Sequence, residues 1–214
     1  MTGGLVVFDL DGTLIDSRAD IGSGLNAALD RVHPGTPPLT PEQVRSMIGE
    51  GALLLVTKAL RATGHDDAPR DVLPVFLDCY RERLLDETRL YPGVRETLEA
   101  LRGRPLAVLT NKPGDLSRTI VRGLGIDGFF GRVCGGGDVP EKKPDPGGLR
   151  RLIQEAGARA EDAVMVGDSA IDVATGRAAA VRTVGVTYGF DPEGLRAVGP
   201  DVLIDRLPDL LDHL

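Results

Sequence analysis

Residues 5–17 read LVVFDLDGTLIDS, in which four apolar residues are followed by Asp9, Asp11 and Gly12. A short apolar run that ends at turn-forming residues predicts a buried strand of a parallel sheet. Ligands of parallel sheets gather at the carboxyl ends of the strands, which is where the two acids lie. The stretch therefore predicts a strand that carries two carboxylates to a ligand-binding edge.

The composition sets the class of protein. The chain has 214 residues, of which 42% are hydrophobic and 27% charged, as in globular proteins large enough for a core domain and an insertion. A net charge of -7 and a pI near 5.0 disfavour binding to nucleic acid or anionic membranes. No apolar run is long enough for a membrane span, and the N-terminus lacks the features of a signal peptide. We therefore expect a cytoplasmic protein with neither nucleic-acid nor membrane partners, and the oligomeric state stays open.

The chain from residue 89 onward has the texture of an α/β protein. Short apolar runs alternate with helical patterns at 114–123, 147–156 and 170–179, and the runs lie at 106–110, 132–135, 163–167, 183–186 and 202–204. Strands separated by helices indicate a parallel sheet with helices on both faces. Together with the first strand, these segments predict a doubly wound α/β domain.

Residues 16–87 have no strand-like run and several amphipathic segments. Ile21, Leu25 and Leu29 share one helical face, and Thr40 with Gln43 forms the pattern of a capping box. The expectation is a helical cap at 16–87, inserted after the first strand of an α/β core formed by 1–15 and 88–214.

Polar residues also follow other predicted strands. Thr110 and Asn111 end one run and Asp168 ends another, while Lys143 follows the strand at 132–135. Acids that meet at one crevice repel each other, and a hard divalent cation removes this repulsion. Mg²⁺ typically takes one or two carboxylates, waters and phosphate oxygens. The residues thus favour a magnesium site for an anionic ligand.

Simpler interpretations stay open for each residue alone. A single aspartate after a strand is more often a turn or helix cap, and a lysine is usually a solvated surface charge. A calcium loop beginning at Asp9 is rejected, because its sixth position needs glycine and holds Leu14. The chain has only four lysines, and Lys112, Lys142 and Lys143 all lie beside the proposed crevice. Their clustering favours a phosphate-binding role.

Four segments together resemble the motifs of the haloacid dehalogenase superfamily of phosphotransferases. They are DLDGTLID (9–16), the strand ending in Thr110, Lys143 in KKPDP and VGDSAID (166–172). The helical insertion is similar to the cap domain of this superfamily. Further stretches, including LYPGVRETLEALR (90–102) and LAVLTNKP (106–113), resemble the phosphoglycolate phosphatase branch. One departure is Ala180, where that branch usually has a glycine, which puts a tight turn in question.

The resemblance implies two roles for the opening acids. Asp9 is expected to be the nucleophile that forms an aspartyl-phosphate, and Asp11 the acid that protonates the leaving alkoxide and then deprotonates water. The implied Mg²⁺ ligands are the carboxylates of Asp9 and Asp168 and the backbone carbonyl of Asp11. The division is chemically sensible, since a nucleophile must be ionised while a general acid must hold its proton.

The same resemblance implies how a phosphoryl group is held. Thr110, Asn111 and Lys143 are expected to bind its oxygens, and Asp172 to orient Lys143. The implied partner is a small phosphorylated metabolite, with 2-phosphoglycolate as the expected substrate. Phosphoryl transfer depends mainly on positioning and on neutralisation of charge, which these residue types provide.

Specificity is expected to come from the cap. Ile48-Gly49-Glu50-Gly51 reads either as a substrate loop or as a plain helix–helix turn, and the resemblance favours the loop, with Arg45 as partner of a substrate carboxylate. A sugar phosphomutase and a phosphonatase of the same superfamily stay open as alternatives. The phosphonatase needs a cap lysine, and Lys58 reads as a helix-surface residue. A receiver-like signalling domain is a further alternative, although receivers lack a cap.

Overall fold

The computed structural model describes residues 4–214; residues 1–3, which begin the expected core segment, lie outside the described residues. The chain divides into two compact units. One contains the residues up to Asp16 together with Leu90–Leu214, and the other contains Ser17–Arg89. No helix among residues 4–214 has both the length and the apolar character that a membrane span requires.

The first unit is built on a six-stranded sheet. The strands of the protein are β1 Val6–Phe8, β2 Ile15–Asp16, β3 Arg89–Leu90, β4 Leu106–Pro113, β5 Arg132–Gly136, β6 Val164–Gly167, β7 Arg182–Val186 and β8 Val202–Ile204. The large sheet has the order β5-β4-β1-β6-β7-β8 with every neighbouring pair parallel, while β2 and β3 form a two-stranded sheet. The predicted doubly wound parallel sheet is confirmed, with β1 at its centre.

Helices cover the sheet and form the second unit. They are α1 Arg18–Val32, α2 Pro41–Arg45, α3 Ala52–Thr63, α4 Pro69–Arg81, α5 Val94–Ala100, α6 Gly114–Gly123, α7 Gly147–Glu155, α8 Ala170–Ala178 and α9 Pro192–Val198. Alternate residues of a strand point to opposite faces, and Leu5 and Val7 pack in one buried cluster with Leu149 and Leu152 of α7. This packing fixes β1, and therefore the residues that follow it.

The helical unit contains the predicted capping box at the start of α2. The Thr40 backbone N–H donates to Gln43 Oε1 at 2.8 Å, and the Gln43 N–H donates to Thr40 Oγ1 at 3.3 Å. Helices α1 and α4 approach closely at Gly24, where a Cβ would lie only 2.9 Å from the Cα of Tyr80. A glycine is therefore required at this crossing of the two helices.

Asp20 of α1 is a structural residue of the helical unit. Its buried carboxylate accepts hydrogen bonds from the backbone N–H of Glu87 at 2.9 Å and of Thr88 at 2.8 Å, and from the Thr88 hydroxyl at 2.6 Å. These bonds tie the first turn of α1 to the chain after α4. A buried acid with three donors is satisfied without a metal ion.

The turn after α8 is formed with Ala180 at the position where the resemblance led us to expect a glycine. Ala180 has φ +57° and is the one non-glycine residue among residues 4–214 with a positive φ. The Val181 N–H donates to the Gly176 carbonyl at 2.8 Å, which closes the helix end. The chain accepts a left-handed alanine here, which for an L-residue costs about 1–2 kcal/mol.

Candidate active site

Strand register brings the predicted residues of the α/β unit to one edge. Phe8 of β1 pairs with Val108 of β4 on one side and with Val166 of β6 on the other. Because the three strands are parallel and in register, Asp9 and Asp168 follow them at the same edge of the sheet. The residues after Val108 lead to that edge as well.

The structure corrects the expected end of the strand that begins at residue 106. The sequence predicts that the strand beginning at 106 ends at Thr110, whereas β4 continues to Pro113 with an irregular pairing to β5 between Leu109 and Pro113. Thr110 thus lies inside the strand and is buried. Its Oγ1 accepts from the Lys112 N–H at 3.3 Å, which leaves its own hydroxyl hydrogen to be donated to a ligand.

Lys143 is the centre of the buried charges. Its Nζ lies 2.7 Å from Asp9 Oδ1 and 2.6 Å from Asp172 Oδ1, and its side chain is only 4% exposed. Burial lowers the pKa of Lys143, but the charges of Asp172 and Asp9 outweigh burial and raise it. The ammonium is therefore a fixed positive charge in contact with Asp9 and Asp172, and the orienting role of Asp172 stays a prediction.

Asn111 holds the backbone of Lys143. Its Nδ2 donates to the Lys143 carbonyl at 2.9 Å, and its Oδ1 accepts from the Lys143 N–H at 2.9 Å. The side chain thus positions Lys143, a role that the sequence did not assign to it. The expected contact of Asn111 with phosphate stays a prediction.

The surroundings of Asp9 and Asp168 disfavour the ionised forms of their carboxyl groups. Burial raises the pKa of Asp9 to about 7, with Lys143 acting in the opposite direction and Asp172 in the same one. Burial, and then the charges of Asp9 and Asp172, raise the pKa of Asp168 well above its usual range. A bound metal ion would therefore favour the ionised forms of both groups.

The donors at this edge fit Mg²⁺. One carboxylate oxygen from each of Asp9, Asp168 and Asp172 lies within 4.8 Å of the others, and all three residues are buried. Asp172 is already engaged, because it accepts from Lys143 and also from Ser169 Oγ at 2.6 Å. Asp9 and Asp168 each accept one hydrogen bond shorter than 3 Å, from Lys143 and from the Phe190 N–H, and they remain the predicted carboxylate ligands of the ion.

Gly12 makes room for Asp168. It has φ +89°, and a Cβ at this position would lie 2.2 Å from Asp168 Oδ2. The Asp168 carboxylate also accepts from the Phe190 N–H at 2.6 Å. Both the left-handed backbone and the close approach need glycine, so the turn after the two opening acids positions the acid of β6 as well.

Lys112 is a residue of the site to which the sequence gave no specific role. Its Nζ lies 3.0 Å and 3.1 Å from the two oxygens of Asp11, and its side chain is 4% exposed. The clustering of lysines signalled this neighbourhood, but only the path of β4 shows that Lys112 turns toward Asp11. Lys142, by contrast, is exposed.

The cap residues lie in the helical unit. Arg45 is the last residue of α2 and is exposed, and Gly49 has φ +119° in the connection between α2 and α3. Gly51, with φ +92°, precedes α3. The two positive φ values show that this connection requires glycines, and its part in substrate selection stays a prediction.

Known proteins resemble this chain over nearly its whole length. Residues 6–186 match the haloacid dehalogenase-like hydrolase family. The phosphoglycolate phosphatase of Chromobacterium violaceum is 38% identical, with 97% of this chain and 94% of that protein covered. The phosphoglycolate phosphatase of Pseudomonas putida is 42% identical, with 97% and 78% covered.

A solved structure agrees in fold. The crystal structure of a "predicted phosphoglycolate phosphatase" from Haemophilus somnus 129pt has a TM-score of 0.92 and 34% identity, and the match covers 100% of this chain and 98% of that one. The matched family is the one that the four motifs indicated. The chain belongs to the haloacid dehalogenase-like hydrolases.

Proposed function

We propose that this hydrolase is a Mg²⁺-dependent phosphatase that cleaves a small phosphate monoester, 2-phosphoglycolate, through an aspartyl-phosphate. The observation that carries the proposal is the buried Lys143 ammonium, 2.7 Å from Asp9 and 2.6 Å from Asp172. A carboxylate beside a fixed cation suits a nucleophile that must approach a phosphate dianion. The names of the relatives support the choice of substrate.

In the proposed reaction, an Asp9 carboxylate oxygen attacks phosphorus and the bond from phosphorus to the ester oxygen breaks. Asp11 gives its proton to the departing alkoxide. It then takes a proton from water, which attacks the aspartyl-phosphate and releases inorganic phosphate and Asp9. Lys112, in contact with both Asp11 oxygens, orients this carboxyl group.

Charge neutralisation is the main task of the remaining residues. Lys143 and the Thr110 hydroxyl are the proposed donors to the phosphoryl oxygens, and Asn111 keeps the Lys143 backbone in place. Bound Mg²⁺ would supply further positive charge at the phosphoryl group. Because the pKa of Asp9 is about 7, such positive charge would increase the ionised fraction of Asp9 at neutral pH.

A labelling experiment tests the nucleophile. Asp9→Asn is expected to abolish turnover, because an amide does not attack phosphorus, whereas Asp11→Asn is expected to accumulate phosphoenzyme from an aryl phosphate. Each variant is incubated with ³²P-labelled substrate and Mg²⁺, denatured and counted. Label that stays covalently bound in Asp9→Asn would assign the nucleophile to another residue.

The proposed selectivity for phosphoglycolate is assigned to Arg45 and Gly49. We propose that Arg45 pairs with the carboxylate of phosphoglycolate. We also propose that Gly49 allows the backbone of its loop to approach the substrate closely. Arg45→Ala and Gly49→Val should lower kcat/KM for phosphoglycolate far more than for an aryl phosphate, which lacks that carboxylate. Arg61→Ala, an exposed arginine of α3, is the matched control. Equal losses on both substrates would reject the specificity role.

The structure bears on two alternatives. Lys58 of α3 forms an ion pair with Glu50 at 2.6 Å and is 33% exposed, in keeping with its expected place on a helix surface rather than as a Schiff-base lysine. The receiver-like alternative is rejected, since the chain belongs to the hydrolase family. A sugar phosphomutase is distinguished by assay with glucose phosphates, in which a hydrolase releases inorganic phosphate.

A further inference from the structure

The helical unit contains a second cluster of groups that bind metals. His33, His65 and Asp67 each offer one donor atom, and these atoms all lie within 4.8 Å of one another. His33 follows α1, His65 lies beyond the end of α3, and Asp67 precedes α4. The chain has only three histidines, and two of them meet here. We propose that this cluster binds a divalent transition-metal ion, Zn²⁺ in the first place.

The backbone fixes both histidines. The His33 N–H donates to the Leu29 carbonyl at 2.7 Å, and the His65 N–H donates to the Leu60 carbonyl at 2.9 Å. Each residue is thus held by the end of a helix. Because the backbone of both residues is fixed, metal binding has to order only their side chains.

Side-chain contacts assign the ring nitrogens. His33 Nε2 lies 2.6 Å from Asp67 Oδ2. The Thr36 hydroxyl donates to the His33 carbonyl at 2.7 Å, so toward His65 Nε2, 3.1 Å away, it acts as acceptor. In its neutral form, His65 would then carry its proton on Nε2 and its lone pair on Nδ1.

The distances suit an ion after a small rearrangement. Zn²⁺ binds nitrogen and oxygen at about 2.0–2.2 Å, so two ligand atoms of one ion are roughly 3.3 Å apart. The rings of His33 and His65 are stacked, with centroids 3.8 Å apart and an angle of 6° between planes. An imidazole binds a metal in its own plane, so one ring must turn out of the stack. A turn of His65 would release its contact with Thr36, and the ion would displace the proton shared by His33 Nε2 and Asp67 Oδ2.

Room for the remaining ligands lies beside the rings. His33, Thr36, Thr63 and His65 line an open surface depression of about 490 Å³, in which water can complete the coordination. Two imidazoles and one carboxylate select Zn²⁺, Co²⁺, Ni²⁺ or Cu²⁺ over Mg²⁺. The acids of the α/β unit offer oxygen ligands instead. Excess Mg²⁺ would therefore occupy the acids and leave the histidine cluster to the transition-metal ion.

The test uses the whole chain, freed of transition-metal ions and kept in a large excess of Mg²⁺. Zn²⁺ is titrated while the ring resonances of the histidines are followed by NMR, and Co²⁺ is titrated while its visible absorption is recorded. One equivalent of Zn²⁺ should shift the resonances of His33 and His65, and those of His213 should stay unchanged. Absence of a saturable site, or a shift confined to His213, would overturn the proposal.

Variants give a second readout. His65→Ala should weaken Zn²⁺ binding by more than about tenfold and reduce the Co²⁺ absorption, while His213→Ala should bind as the unmodified protein does. Circular dichroism verifies that each variant is folded. If His65→Ala does not fold, the Zn²⁺ titration of the unmodified protein decides whether the cluster binds metal. Equal affinities in His65→Ala and His213→Ala would show that the cluster only joins the helix ends.

Discussion

Replacing Asp9 by asparagine should change how the stability of the metal-free protein depends on pH. The pKa of Asp9 is about 7 in the folded protein, against 3.8 for an ordinary aspartate. The folded state therefore binds a proton at Asp9 more tightly than the unfolded state does. The stabilisation from this proton is fully present below pH 3.8 and is lost as pH rises through about 7. Asparagine does not titrate, so the variant lacks this loss.

The size of the effect follows from the two pKa values. The interval between 3.8 and about 7 corresponds to about 4 kcal/mol of unfolding free energy. Between about pH 5.5 and about pH 8.5, the part still to be lost is about 2 kcal/mol. Asp9→Asn also removes one charge next to Asp168, which lowers the pKa of that neighbour and flattens the pH dependence further.

The assay is urea unfolding in EDTA at several pH values, with Asp30→Asn, an exposed aspartate of α1, as control. The stability of Asp9→Asn relative to the unmodified protein should rise by about 2 kcal/mol from the acidic to the alkaline end. Saturating Mg²⁺ should reduce this rise, since the ion favours ionised Asp9. Parallel pH profiles for Asp9→Asn and the unmodified protein in EDTA would refute the burial of a proton-binding acid at this position.

Three further predictions concern other parts of the chain. Lys143→Ala should lower kcat/KM by about 10²–10³-fold by removing a fixed charge from the phosphoryl site, measured as phosphate release; an unchanged value would contradict the assignment. Ala180→Gly should raise the unfolding free energy by about 0.5–1 kcal/mol by relieving the left-handed alanine, and a loss of stability in urea would oppose this reason. Asp20→Ala should cost about 3 kcal/mol because it leaves buried donors unpaired, whereas exposed Asp30→Ala should change little in the same assay.

The regular elements were predictable where local pattern and tertiary packing agree. The pattern at 114–123 predicts the helix that the structure shows at Gly114–Gly123, and the run at 202–204 matches β8. Short buried strands need apolar residues, and solvent-facing helices need an amphipathic period, so both leave a clear signal. The capping box at Thr40 is equally local, because its two hydrogen bonds join residues three apart.

Features that depend on long-range geometry were missed. The continuation of β4 through Asn111 and Lys112 needs pairing with β5, which lies about twenty residues further along, and polar residues give no strand signal of their own. The bond of Lys112 to Asp11 joins residues 101 positions apart. No local pattern reports such a contact. The lysine cluster indicated the neighbourhood of the site but not the partner of each lysine.

The ionisation of the acids belongs to the same class of long-range property, and it explains how an acidic protein can hold an anion. Asp9, Asp168 and Asp172 bring three carboxylates to Lys143, the ammonium that contacts two of them. With all three ionised, negative charge exceeds positive charge by two, and burial strengthens the resulting repulsion of a phosphate dianion. A divalent cation would cancel this excess and would favour the ionised form of Asp9, the proposed nucleophile. Charge balance at the site therefore favours a proposed order in which the cation is bound before phosphate approaches.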